Sequence, residues 1–99
     1  MDLSTLTERA KGAMAASDFD KKVKFDFGDV GNLFLDGQNN TASNEDAEAD
    51  ATVKVDFDDF KKMAAGEMDP TMAFMQGKLK VLGDMSVAMK LQSILKNLA

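Results

Sequence analysis

The chain has no cysteine, no histidine, no tryptophan, no tyrosine and a single proline among its 99 residues. Without cysteine it cannot form disulfides, thiolate nucleophiles or iron–sulfur clusters. Without histidine it lacks the commonest general base and the commonest metal ligand. Catalysis would have to use Asp, Glu, Lys, Ser or Thr alone, so the histidine-dependent serine and cysteine triads are excluded.

Long apolar runs are also missing. The start of the chain contains Asp2 and Glu8, whereas a secretory signal has a basic start followed by an apolar core. A bilayer span needs about 20 apolar residues, and the unbroken apolar runs here are a few residues long. The sequence therefore predicts a soluble protein of the cytoplasm.

Positive side chains are fewer than negative ones, 12 against 17, so the formal net charge is −5. This argues against nucleic acid as a partner, since that binding depends on neutralising phosphates with Lys and Arg. The charge is uneven: residues 18–60 hold 12 acids and 4 lysines, and residues 61–99 hold 3 acids and 6 lysines. Two interpretations stay open, namely plain solubility or a basic face that makes transient contact with an anionic membrane.

What remains is typical of one small globular domain with mixed structure. Helical spacing predicts a helix over 3–16, with a capping box in which Thr5 is the cap and Glu8 folds back to it. Alternation of apolar and polar residues predicts strands. They cover 22–27, 32–36, 39–43, 51–55 and 78–82.

Three more helices follow from cap signals. Asp56 can cap a helix that ends at Gly66 in the left-handed conformation. Asp69 and Pro70 open a short apolar helix. Asp84 caps a last helix with a two-sided pattern. Its apolar face consists of Val87, Leu91, Ile94 and Leu98.

The acidic residues give no convincing metal site. The segment 36–47 superficially resembles a calcium loop, but Thr41 and Ala47 stand where that loop needs Gly and Glu. Methionine is more informative, because six of the eight lie between Met63 and Met89. Methionine either fills gaps in an ordinary core or lines an adaptable apolar cavity.

The segment 66–84 reads GEMDPTMAFMQGKLKVLGD, and Ala88-Met89-Lys90-Leu91 follows in the last helix. It closely resembles the sterol carrier protein type-2 domain family. The family pattern has Gly, three residues, Pro, then Ala-Phe, one residue and Gln-Gly-Lys-Leu-Lys, followed by Gly and Ala-Met-Lys-Leu. The chain matches each of these positions, strongly over 51–95 and more loosely over 19–50.

The resemblance implies an α+β fold in which a five-stranded, mostly antiparallel sheet has helices on one face and encloses an apolar tunnel. It implies non-catalytic binding and transfer of a fatty acyl chain, fatty acyl-CoA, phospholipid or sterol-like ligand, with no cofactor and no metal. We expect one lipid-binding domain over residues 1–99, acting as a monomer. Because the chain ends in Asn97-Leu98-Ala99, without a peroxisomal address or the longer tail of animal domains, we expect a compact, stand-alone bacterial member.

We predict that apolar side chains from the strands and the later helices line the tunnel, with Gln92 as a polar contact at its edge. They are Phe25, Leu33, Leu35, Phe60, Phe74, Met75, Leu79, Val81, Met85 and Met89. Plain core packing is the alternative for each of them. Two other functions stay open: an accessory domain that presents a lipophilic intermediate to an enzyme, and a hydrolase or transferase that uses carboxylates and lysine.

Overall fold

The structure is a computed structural model that describes residues 2–16, 19–87 and 90. The elements run in the order α1 (Leu3–Ala15), β1 (Lys22–Asp26), a 3-10 turn (Gly28–Val30), β2 (Asn32–Asp36), β3 (Thr41–Ser43), β4 (Ala51–Val55), α2 (Phe57–Ala64), α3 (Pro70–Met75) and β5 (Leu79–Gly83). Residues 85–87 and 90 are helical, and the remainder of the predicted last helix lies outside the described residues.

The five strands form one sheet in the order β3-β2-β1-β4-β5. Neighbouring strands are antiparallel except β1 and β4, which are parallel. Parallel strands cannot be joined by a tight hairpin, and here the chain crosses from the sheet edge at β3 back to β4 through residues 44–50. The predicted five-stranded, mostly antiparallel sheet is confirmed.

The hydrophobic core lies on one face of this sheet. Alternate residues of a strand point to opposite faces, and the buried positions of β1 and β4 follow that period. Leu33 and Leu35 on β2 face the core, where α1 packs over β2 and β3. Phe34 lies between them and faces the other side, yet it is buried too. Its cross-strand neighbour Lys24 pairs with Asp46 at 2.7 Å, so the crossover passes over this part of the outer face.

The predicted start of α1 is confirmed, but its capping residue differs from the prediction. The helix begins at Leu3, and its cap is Asp2, whose Oδ1 accepts a hydrogen bond from the Thr5 backbone N–H at 2.8 Å. Thr5 and Glu8 both lie inside the helix, and Glu8 pairs with Lys11 at 3.1 Å. The predicted capping box is therefore wrong. Aspartate is as good a cap as threonine, and Asp2 can reach the exposed N–H groups of the first turn.

The other predicted helix ends agree with the structure in position. Asp56 occupies the N-cap of α2, although its side chain makes no capping hydrogen bond. Gly66 has φ 80°, the left-handed conformation expected after the helix. Asp69 caps α3 by accepting from the Thr71 N–H at 2.8 Å, and Pro70 is the first helical residue.

The turn between β2 and β3 is organised by Asp36. Its carboxylate accepts from the backbone N–H groups of Gln38 and Asn39 and from Asn39 Nδ2, the last at 2.8 Å. These hydrogen bonds favour the charged form, so they lower the pKa of Asp36 below 3.8, with the Asn39 side chain contributing most. The turn ends at Asn40, which adopts φ 54°.

Candidate functional site

Four phenylalanines form an aromatic cluster between the sheet and α2. Phe25 and Phe27 are two residues apart at the end of β1, and Phe57 and Phe60 are three apart on α2, so each pair points the same way. The ring centres of Phe25 and Phe60 are 4.9 Å apart, and those of Phe27 and Phe60 are 5.0 Å apart. Phe57 meets Phe27 at 5.1 Å. The structure thus brings together Phe25 and Phe60, both predicted lining residues.

Four further predicted lining residues share the core face of the sheet. Leu33 and Leu35 are fully buried. Leu79 and Val81 on β5 are partly buried and pack against the core. Their register places Leu79 opposite Val55 and Val81 opposite Val53, so β5 extends the apolar face beyond β4.

The remaining described candidates are exposed. Phe74 is 45% exposed, Met75 74% and Met85 46%. Together with Met72 and Leu82 they make up an exposed apolar segment, which is our name for these five side chains between residues 72 and 85. Among the described residues, Val30 is the only large apolar side chain of comparable exposure elsewhere. Met89 and Gln92 lie outside the described residues.

The turn before Met85 is fixed to the sheet. Asp84 donates its backbone N–H to the Asp50 carbonyl at 3.0 Å. Its carboxylate accepts from the hydroxyl and the backbone N–H of Ser86, at 2.7 and 2.9 Å. These bonds, the hydroxyl bond first, lower the pKa of Asp84 below 3.8. The chain therefore leaves the sheet at a fixed point just before Met85. The buried side chain of Val87 holds the same stretch against the core.

An open groove of about 310 Å³ lies where three strands meet at one end of the sheet. The parallel strands β1 and β4 both finish there, and antiparallel β5 starts there. We call it the strand-end groove. Its lining consists of Asp26, Phe27, Gly28, Lys54, Val55, Asp56, Gly77, Lys78 and Lys80. Phe27 and Val55 are core residues, so the apolar part of the groove is the edge of the core.

This groove is not among the features that the sequence predicts. Lys54 belongs to the acidic stretch 18–60, whereas Lys78 and Lys80 belong to the basic stretch 61–99. Counting charge along the chain separates them, and the register of β4 and β5 brings them together. The sequence shows a lysine at an outward-facing position of both β4 and β5. Only the pairing of these strands shows that the two lysines are neighbours.

In the described part of the chain, no three acidic side chains are grouped so that they could hold a metal ion. The same residues include no helix with the length and apolar character needed to cross a membrane.

A one-layer sheet with helices on one face, an aromatic interior and an open groove at the strand ends defines a small α+β domain. The chain belongs to the SCP-2 sterol transfer family, whose sequence profile matches residues 3–96. The predicted family and its fold class are thereby confirmed, and an apolar tunnel is consistent with this fold.

The matches to curated relatives cover most of this chain but only a small part of each relative. Hydroxysteroid dehydrogenase-like protein 2 of Xenopus laevis is 49% identical over 69 residues, which is 66% of this chain and 16% of that protein. Sterol carrier protein 2 of Homo sapiens is 43% identical over 58 residues, 59% of this chain and 11% of that protein. The chain thus spans a sixth or less of the length of these relatives.

Solved structures share the fold. Sterol Carrier Protein-2 from Aedes aegypti, in complex with the C16 fatty acid palmitate, superimposes with a TM-score of 0.82 at 19% identity and covers 100% of both chains. The ubiquinone synthesis protein UbiJ-SCP2 gives a TM-score of 0.65 at 20% identity, covering 97% of this chain and 90% of that one. At these identities the likeness establishes the architecture.

Proposed function

We propose that this chain binds one lipid between its sheet and its helices and transfers it without catalysis. The ligand is a fatty acyl chain, a fatty acyl-CoA, a phospholipid or a sterol-like molecule. In this proposal residues 1–99 act as a single monomeric domain of the cytoplasm that touches membranes transiently. Membership of a sterol transfer family supports it, as does the palmitate complex of the Aedes aegypti neighbour.

The observation that carries the proposal is the exposed apolar segment. Large apolar side chains left in water in one stretch of a small domain mark a place where something apolar binds. Three of the five are methionines, whose flexible side chains adapt to variable apolar shapes. The segment belongs to α3, β5 and the residues just after them, and α3 contacts β5. Leu82 follows the core-facing Val81 and so lies on the outer face, whereas a lipid tail packed against the side chains of α3 would cover that surface and extend the core.

The magnitudes suit a carrier. Burying one methylene contributes about 0.8 kcal/mol, so a sixteen-carbon tail gains roughly 12 kcal/mol before costs. Association costs on the order of 4–15 kcal/mol. The balance allows micromolar binding, which is tight enough to hold a lipid and weak enough to release it.

Palmitate is expected to raise the melting temperature of the purified chain. A ligand at 100 times its dissociation constant adds about 2.7 kcal/mol to stability. In a domain of this size each kcal/mol corresponds to roughly 4–8 °C, so a rise of about 10 °C or more follows. Differential scanning fluorimetry measures the rise and native mass spectrometry the bound mass. Octanoate, with half the carbon atoms, is the control. An unchanged melting temperature together with an unchanged mass would contradict lipid binding.

Replacing two exposed apolar residues should weaken binding more than it weakens the fold. We expect Phe74→Ser/Met75→Ser to lower the stability of the free protein by about 1 kcal/mol, mostly at Phe74, because Met75 is 74% exposed and Phe74 45%. The affinity for palmitate should fall about tenfold, which corresponds to a loss of about 1.4 kcal/mol. Isothermal titration calorimetry gives the affinity. Val30→Ser, at an apolar residue 47% exposed on the 3-10 turn, is the matched control. Equal losses in both variants would argue against a role for the segment.

An accessory role is the second candidate, in which the domain presents a lipophilic intermediate to an enzyme. Two observations favour it. Relatives named hydroxysteroid dehydrogenase-like protein 2 are matched over only 16–18% of their length, and one structural neighbour is named a ubiquinone synthesis protein. Transfer of a fluorescent acyl lipid between vesicles by the isolated chain separates the two functions. A carrier accelerates this transfer alone, whereas an accessory domain holds the lipid until its enzyme is added.

A further inference from the structure

We propose that the strand-end groove binds the anionic head group of the lipid, a carboxylate or a phosphate, through Lys54, Lys78 and Lys80. The inference rests on the proposed function, because it assigns one end of the same ligand. It narrows the ligand class to lipids that carry negative charge at the head.

Two of the groove lysines form a cross-strand pair. Lys54 on β4 lies directly opposite Lys80 on β5 in an antiparallel register, and both are exposed on the outer face. Like charges directly opposite each other destabilise a sheet. Lys78, two residues before Lys80, lines the same groove and adds a third positive charge. A bound anion would turn this repulsion into attraction.

The three groove lysines differ from Lys11, Lys24 and Lys61, which have acidic partners in Glu8, Asp46 and Asp58. Within residues 2–16, 19–87 and 90, none of the three groove lysines forms an ion pair.

The two aspartates of the groove do not change this result. Asp26 Oδ1 accepts from the Gly28 backbone N–H at 2.9 Å, and Asp56 lies at the N-cap of α2. Among the described residues, three lysines against two aspartates give the lining a net charge of +1 in a chain whose net charge is −5. The groove is therefore locally positive on an acidic protein.

The groove borders the hydrophobic core. Phe27 lines the groove and also belongs to the aromatic cluster, where its ring meets Phe60 at 5.0 Å. Val55 links the groove to the core in the same way. Met75, at the end of α3, is two residues before Gly77 of the groove lining, so a tail packed against α3 would end within reach of the lysines. The volume of about 310 Å³ is sufficient for a carboxylate or phosphate head.

The test uses hexadecyl ligands that differ only in the head. Binding of hexadecyl phosphate and of hexadecanol is measured by calorimetry for the wild-type chain and for Lys54→Gln/Lys80→Gln. We expect the double substitution to weaken hexadecyl phosphate about tenfold and to leave hexadecanol unchanged, because charge-assisted hydrogen bonds reach only the anion. Added salt should weaken hexadecyl phosphate and spare the alcohol. Lys21→Gln/Lys62→Gln removes the same charge from exposed lysines outside the groove and should change neither affinity.

The outcomes separate the two proposals. If hexadecanol binds but the groove substitutions leave hexadecyl phosphate unaffected, or weaken it no more than the control pair does, the head-group assignment is overturned and lipid binding stands. If inorganic phosphate binds as tightly as hexadecyl phosphate, the groove is a free-anion site and the assignment also fails. If no hexadecyl ligand binds the wild-type chain, lipid binding itself is overturned and this inference falls with it.

Discussion

Replacing Phe60 with alanine is expected to lower the free energy of unfolding by about 3–5 kcal/mol. Phe60 is fully buried, and its ring lies within 5.0 Å of the ring centres of both Phe25 and Phe27. Removing the ring loses the transfer free energy of its atoms, leaves a cavity, and also loses ring–ring contacts worth about 0.5–1.5 kcal/mol each. This is a large part of the total stability of a small domain, about 5–15 kcal/mol.

Phe57→Ala on the same helix is the matched control. Its ring also joins the aromatic cluster, at 5.1 Å from Phe27, but the side chain is only partly buried. We expect a clearly smaller loss, measured for both variants by urea denaturation. If Phe60→Ala does not fold, Phe60→Leu provides a smaller and measurable change. Equal costs at the two positions would show that the cluster is not centred on Phe60.

The Phe60→Ala variant also tests whether Phe60 lines the lipid site or belongs only to the core. A tail lodged beside residue 60 can fill part of the space that the ring vacates, and its binding then adds to stability. In that case palmitate should stabilise Phe60→Ala by more than it stabilises the wild-type chain. An equal or smaller effect would assign Phe60 to the core and remove it from the predicted lining.

The strands were predictable because their apolar residues alternate. Ala51–Val55 has the bounds that the sequence predicts, since one face is buried and the other is not. The pairing of β1 with β4 was not predictable in this way. It depends on the route of residues 44–50 across the outer face, where Lys24 pairs with Asp46, and no periodicity encodes such a path. The cap of α1 was missed because two acceptable capping residues, Asp2 and Thr5, compete over three positions.

The candidate site shows the same division. Phe25 and Phe60 were chosen from their positions on a strand and a helix, and the structure places them in contact. Met75 was chosen for its apolar, flexible side chain, and that property does not tell whether the fold covers the side chain. Neither the residue pattern nor the family resemblance predicted the groove lysines. Lys54 and Lys80 become neighbours only through the register of β4 and β5.

Gly37→Ala is expected to lower the free energy of unfolding by about 3 kcal/mol or more, a loss at the upper end for overpacking. Gly37 is buried at the end of β2 and donates its backbone N–H to the Lys21 carbonyl at 2.8 Å. A Cβ there would lie against the carbonyl oxygen of Phe19 and only 2.6 Å from that of Lys21. Both obstacles are backbone atoms, so they cannot move aside as a flexible side chain can. The added methyl would break the contact that holds the chain before β1 against the end of β2.

Gly12→Ala is the matched control, and its effect should have the opposite sign. Gly12 is exposed inside α1, and a Cβ there meets no atom within 4 Å. Alanine should add about 0.5–1 kcal/mol, because glycine in a helix interior loses more conformational freedom on folding. Thermal unfolding of both variants decides the matter, with the melting temperature falling for Gly37→Ala and rising for Gly12→Ala. Shifts of the same sign and size would mean that the response reflects backbone entropy alone, and that the close approach at Gly37 does not constrain the fold.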